Sequence, residues 1–168
     1  VYDSLSRIKS MGFDEDFLID ICGLEHTIKD STGNIAFKIE KVGHNLKNYD
    51  MVIIPGGFGT RRLINDENFI SYIKTVNPAA KLVSVCSGAL IWGKAGFLNN
   101  KNITTQKNLF SCMNDYGCKI VDKRVVCDEN VITAGGVTAG LDLGLYLCAI
   151  LYNTDIMYKI ANQMEYQL

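Results

Sequence analysis

The sequence predicts an α/β fold in which a mostly parallel sheet is sandwiched between layers of helix. Apolar runs of strand length alternate with segments of helical periodicity, the order that builds parallel sheets. Two of these runs, Met51–Ile54 and Lys81–Val85, read as buried strands, and each ends at a glycine-bearing turn. The 168 residues, 48% apolar and 21% charged, suit a single domain spanning residues 1–168.

Taken in order, residues 3–11 place Leu5, Ile8 and Met11 at three-residue spacing and predict a short helix. Phe17 to Cys22 reads as a short apolar strand. His26 to Val42 alternates around Gly33-Asn34 and predicts a hairpin-like pair of strands. Met51–Ile54, running into Pro55-Gly56-Gly57, has the continuous apolar pattern of a strand buried on both faces. Residues 66–76 carry Phe69, Ile70, Ile73 and Val76 at helical spacing, with Asp66 placed as N-cap. Lys81–Val85 leads directly into a helical stretch, Ser87 to Ala95, and a third helix is expected near 107–116. Ile120 to Thr133 reads as two strands turning at Asp128-Glu129-Asn130. Two helices close the chain, 136–152, apolar nearly all round, and 154–166.

Composition removes several function classes. Lys plus Arg number 17 against 18 Asp plus Glu, a net charge of −1 without any long like-charged run. That leaves no electrostatic footprint for nucleic acid or an anionic membrane. The longest apolar stretch, Gly136 to Tyr152, is broken by Asp142 and is shorter than the roughly 20 residues of a bilayer span. The six cysteines (22, 86, 112, 118, 127 and 148) form no CxxC pair. Cys22, Cys127 and Cys148 lie in apolar runs, where a thiol acts as a small hydrophobe. With only His26 and His44 available, both expected at the surface, no metal site is visible, and no cofactor is expected. The expectation is a reduced, cytoplasmic protein.

In such sheets, ligands bind at the carboxyl ends of the strands. Gly57-Phe58-Gly59 lacks the third glycine of a dinucleotide fingerprint, because Arg62 stands there. The Gly56-Gly57 turn instead reads as one that points backbone N–H groups into a cleft, as an oxyanion pocket requires. Cys86, in Val85-Cys86-Ser87-Gly88-Ala89, falls between a buried strand and a helix, the placement of a nucleophile elbow. A helix start beside the sulfur favours thiolate. Asp142, inside an apolar helix, is expected to be a structural hydrogen-bonding group.

The sequence resembles the DJ-1/PfpI superfamily of class I glutamine-amidotransferase-like proteins over about residues 1–166. The motifs that carry the resemblance are Tyr49 to Gly57, Val85 to Leu90, Ala95 to Leu98, Thr104-Thr105 and Ile132 to Asp142. Their combination is most similar to the isonitrile hydratase branch, and also to the cysteine-bearing domain of some AraC-type regulators. The latter carry a basic helix-turn-helix not seen in this sequence.

The resemblance implies a flavodoxin-like three-layer sandwich, a homodimer, and Cys86 as nucleophile. It also implies an oxyanion pocket from the backbone N–H groups of Gly57 and Ser87, with Gly56, Phe58 and Gln106 around the substrate. Ser87 stands where the hydratase branch usually has Thr, and Gln106 where it usually has His. Members begin with a central strand and a loop that supplies an acid to the nucleophile. The sequence opens Val1-Tyr2-Asp3, at the helix after that loop, so an upstream segment of roughly 15–20 residues carrying strand and acid is expected. Three roles, the first two on a small-molecule substrate or a peptide, are implied: isonitrile hydration through a Cys86 thioimidate, a glyoxalase, deglycase or peptidase/amidase activity of the same thiol, or non-enzymatic redox sensing.

Overall fold

A computed structural model describes residues 1–30 and 33–167. In chain order it begins with α1 (Tyr2–Ser10), β1 (Cys22–Gly23), β2 (Thr27–Lys29), β3 (Ala36–Lys38), β4 (Lys41–Val42) and β5 (Met51–Ile54). Helices α2 (Thr60–Leu63) and α3 (Glu67–Ile73) precede β6 (Lys81–Val85), α4 (Ala89–Ala95) and β7 (Asn102–Ile103). Then come α5 (Phe110–Met113), β8 (Lys119–Ile120), β9 (Val125–Asp128) and β10 (Val131–Ala134), and finally α6 (Ala139–Leu151) and α7 (Thr154–Gln163). The elements fall into two compact units, residues 20–137 on one hand and residues 1–19 with those from 138 onward on the other.

The unit of residues 20–137 is built on a four-stranded sheet of order β5-β6-β10-β9. β5, β6 and β10 run parallel, with Val52 opposite Leu82 and Leu82 opposite Val131. β9 is antiparallel to β10 and joined to it through Glu129-Asn130. An α/β fold is therefore present, as the alternation of patterns predicts. Ile54, Ile70, Ile73, Leu82, Leu90 and Trp92 belong to one apolar core within this unit. α3 starts on its expected cap, with Phe69 N–H donating to Asp66 Oδ1 at 3.0 Å. β2 and β3 pair antiparallel as the predicted hairpin, closed by Asp30 N–H donating to Ile35 O. Ser31, Thr32 and Leu168 lie outside the described residues.

Several expectations change. Of Phe17–Cys22 only Cys22 enters a strand, paired through β1 with β4. Leu18 and Ile21 are exposed, because an apolar run becomes a strand only where a neighbour supplies a ladder. β5 is half-buried at Met51, Val52 and Ile53 rather than covered on both faces, since it forms an edge of its sheet. Cys127 is exposed, not packed as a small hydrophobe. The helix expected near 107–116 is three short pieces, two of them 3₁₀ turns. The two-residue pair β7–β8 is too short for any periodicity to announce.

The second unit holds α1, α6 and α7. Gly144 of α6 lets α1 approach so closely that a Cβ there would stand 2.5 Å from Ser4 Oγ. Ile8, Leu143, Leu147 and Ile160 are fully buried. Asn153 caps α7 by accepting from Ile156 N–H at 2.9 Å, and Tyr152 Oη donates to Asp14 at 2.6 Å. Asp142 accepts a hydrogen bond from Tyr166 Oη, the structural part expected of it.

Candidate active site

The site lies where β5 and β6 end side by side. β6 stops at Val85, and Cys86 turns the chain with φ +55°, in the left-handed region that non-glycine residues seldom occupy. A 3₁₀ turn, Cys86–Gly88, then feeds α4. Two bonds hold the strained residue. Cys86 N–H donates to Gly135 O at 3.0 Å, beyond the end of β10, and Thr105 Oγ1 donates to Cys86 O at 2.6 Å. Strain of this kind, costing about 1–3 kcal/mol, persists only where the surroundings enforce it. Here Gly88 presses so closely on β5 that a Cβ would stand 2.3 Å from Ile54 O.

Cys86 is partly exposed, and its Sγ lies 3.4 Å from Gln106 Oε1, placed to donate its thiol hydrogen. Among the described residues no carboxylate or imidazole shares a hydrogen bond with this sulfur. His26 and His44 are exposed on other segments.

On the β5 side, Gly56 backs directly onto Cys86, where an added Cβ would meet Cys86 Cβ at 2.7 Å. Gly57 N–H, expected to face the cleft, instead donates to Ser87 Oγ at 3.0 Å, and Ser87 Oγ donates in turn to Gly57 O at 3.1 Å. The Ser87 hydroxyl is thus buried and committed to the Gly57 turn. Phe58 projects from the same turn, 75% exposed, with the Arg61 guanidinium over its ring at 5.5 Å.

The structure therefore brings Cys86, Ser87, Gly56, Gly57 and Gln106 together and leaves the Phe58 ring at the surface. Sequence reasoning gave no role to Thr105 or Gly135, the two partners of the Cys86 backbone. The usable signal was Thr104-Thr105 itself, two residues 1% exposed whose polar groups must find partners. Thr104 N–H donates to Thr133 Oγ1 at 2.8 Å, and Asn102 is pinned to Asp128 through both its backbone and side-chain nitrogens. These bonds fix the segment that carries Gln106. Among the described residues, no three His, Cys, Asp or Glu side chains cluster as metal ligands would.

A parallel α/β sheet with a strained cysteine at one strand end and a glycine turn at the next defines a class of cysteine-bearing α/β proteins. Within it, this chain belongs to the DJ-1/PfpI family, whose model matches residues 3–149. It is 37% identical over 118 residues to the isonitrile hydratase of Pseudomonas putida, covering 70% of this chain and 52% of that protein. It is 31% identical over 112 residues to the glutathione-independent glyoxalase DJ-1 of Schizosaccharomyces pombe, covering 65% and 58% respectively. The chain thus spans about half the length of the curated relatives it matches. A ThiJ/PfpI family protein from Pseudomonas syringae superposes with a TM-score of 0.84 at 29% identity, covering 90% of this chain and 64% of that one. Drosophila melanogaster DJ-1beta shares the fold with a TM-score of 0.83 at 18% identity, covering 99% and 89%.

Proposed function

We propose that this chain is a cysteine-dependent enzyme of the isonitrile hydratase type, with Cys86 as nucleophile on a nucleophile elbow. The observation that carries the proposal is the φ of +55° at Cys86, a strained turn held by Gly135 and Thr105 that sets the sulfur at the end of the sheet. With it goes a flavodoxin-like, three-layer arrangement, supported by the parallel β5-β6-β10 order.

In the reaction, Sγ bonds to the terminal carbon of an isonitrile while the thiol proton ends on that carbon, giving an S-bound thioimidate. Water adds across the C=N bond, placing hydroxyl on carbon and hydrogen on nitrogen. The C–S bond then breaks as the hydroxyl proton returns to sulfur, releasing an N-substituted formamide and restoring the thiol. Gln106 orients the thiol hydrogen but moves no proton, because an amide is neither acid nor base at neutral pH. The backbone N–H of Ser87 meets developing negative charge, and its hydroxyl holds the Gly57 turn in register. Gly56, Phe58 and Gln106 flank the entering substrate, and the working form is a cytoplasmic homodimer.

A second reading is favoured by the Schizosaccharomyces pombe relative: the same thiol acting on a 2-oxoaldehyde. Assay of the purified protein and Cys86→Ala against small isonitriles and methylglyoxal separates the two. Formamide release by the parent protein alone supports the hydratase. Lactate formation from methylglyoxal without formamide release transfers the assignment to the second reading. Equal turnover by Cys86→Ala would remove the thiol from the chemistry altogether.

A further inference from the structure

Charge is unevenly distributed about the four-stranded sheet, and a basic excess gathers at the edge that carries Cys86. Three segments meet Cys86, and each adjoins basic residues. Cys86 N–H donates to Gly135 O, and Gly135 N–H donates to Arg124 O, both at 3.0 Å, which sets Lys123 and Arg124 in the row beside the cysteine. Thr105, which donates to Cys86 O, precedes Gln106 and Lys107. Gly56, which backs onto Cys86, opens the turn that runs through Phe58 to Arg61 and Arg62 on α2. All five basic residues are exposed, and Asp122, the one acid in these segments, is paired with Lys107 Nζ at 3.0 Å. At the opposite edge of the sheet the signs are mixed. Lys81 and Lys101 stand there among Asp50, Asp128 and Glu129, and Lys101 is paired with Glu129. A chain of net charge −1 thus turns a positive rim towards its strained cysteine.

Arg61 is the member of this rim placed to meet a ligand. Its guanidinium lies over the Phe58 ring, 5.5 Å from the centroid, on the turn that touches Cys86. Among the described residues it enters no ion pair. Phe58 is 75% exposed, so an apolar ring and a cation stand together in water at the site. The planar fork of a guanidinium matches a carboxylate, and a rim of one sign raises the local concentration of oppositely charged ligands.

We infer that the substrate attacked by Cys86 carries a carboxylate, which Arg61 binds while Phe58 packs the apolar atoms between that group and the reacting carbon. The inference rests on the reading of Cys86 as nucleophile and deepens it by naming the substrate class, which for a hydratase is an isocyano acid rather than a neutral isonitrile. Arg61 meets the substrate away from the reacting atoms and so sets specificity. Arg62, Lys123 and Arg124 add attraction at longer range, which salt screens.

The test compares 3-maleimidopropionate with its amide as alkylating agents for Cys86, resolved by peptide mapping. The two differ in a charge several atoms from the reacting carbon, and the ratio of their rates cancels any change in the thiol itself. At low salt the acid-to-amide ratio should exceed that of 2-mercaptoethanol by about tenfold, the worth of one charge-assisted hydrogen bond. It should fall towards the reference in about 1 M sodium chloride. Arg61→Gln should lose most of the preference and Arg61→Glu should reverse it. A ratio equal to that of mercaptoethanol, or one unchanged by Arg61→Gln, would overturn the inference. Isocyanoacetate and its methyl ester, assayed as substrates, separate this inference from the reading beneath it. Formamide release with kcat/KM about tenfold higher for the acid supports both, and equal turnover of acid and ester overturns the carboxylate preference. Formamide from neither, with charge-selective alkylation intact, removes the hydratase reading and supports the carboxylate subsite.

Discussion

At the scale of single residues, Cys86 concentrates both strain and chemistry. Limiting iodoacetamide at neutral pH should modify it before the other five thiols, including the more exposed Cys127, because the left-handed turn stands its partly exposed Sγ at the strand end, where a helical turn begins. Peptide mapping that finds Cys127 labelled first would reverse that ranking. The backbone strain makes a separate prediction. Cys86→Gly should be more stable than Cys86→Ala by about 1 kcal/mol in thermal denaturation, since only glycine accepts a φ of +55° without penalty. Both variants should be inert in the assay. That Cys86 stands between β6 and the turn into α4 was legible in the sequence, because a thiol between a buried strand and a small-residue helix start is a local pattern. The hydrogen bonding of Gly57 and Ser87 was not. Their reciprocal bond, which withdraws the Gly57 N–H from the cleft, links positions 30 residues apart and has no local signature.

Among the elements, the contact between the 3₁₀ turn that precedes α4 and the end of β5 is the tightest constraint on the site. Gly88→Ala must push Ile54 O from 2.3 Å to an ordinary contact, which should cost about 1–3 kcal/mol and misalign Cys86 with Gly57. Denaturant midpoints and the iodoacetamide rate of the variant would check both effects. A midpoint unchanged from the parent would show the contact to be slack. Asp66→Ala, which removes the α3 cap, should cost about 1 kcal/mol and leave the thiol rate untouched. Elements with strong local signals, such as β5, β6, α3 and α6, could be read from periodicity and caps. β7 and β8 could not, for two-residue strands exist only through their pairing. Phe17–Cys22 misled for the converse reason: its apolar pattern is strand-like, but only Cys22 is given a neighbour.

For the molecule as a whole, alkaline pH supplies a stability prediction. Cys148 is fully buried in the unit of α1, α6 and α7, with its thiol near Ser4 O, and burial pushes it from 9.0 up to about 11. Above pH 9 the unfolded chain loses this proton while the folded chain keeps it, so the unfolded state is favoured. Stability should hold below pH 9 and fall progressively towards pH 11. Melting curves of Cys148→Ala should show a shallower decline over that interval, and parallel declines would assign the effect to other groups. The composition that signalled one globular domain could not signal the division into two compact units, because that depends on which distant segments meet.

That division gives a particular value to the core beneath the site. Trp92, the sole tryptophan, is fully enclosed, its indole N–H donates to Val83 O at 2.9 Å, and Phe97 meets it edge-on at 5.6 Å. Its emission should therefore be blue-shifted and insensitive to soluble quenchers in the native state. Since the other unit holds only tyrosine and phenylalanine among its aromatic residues, excitation at the red edge of the indole band isolates the unit that carries Cys86. Far-ultraviolet dichroism, weighted by α1, α6 and α7, would follow the other unit alongside it. Two optical signals from one unlabelled sample would then show whether the two units melt together or in succession.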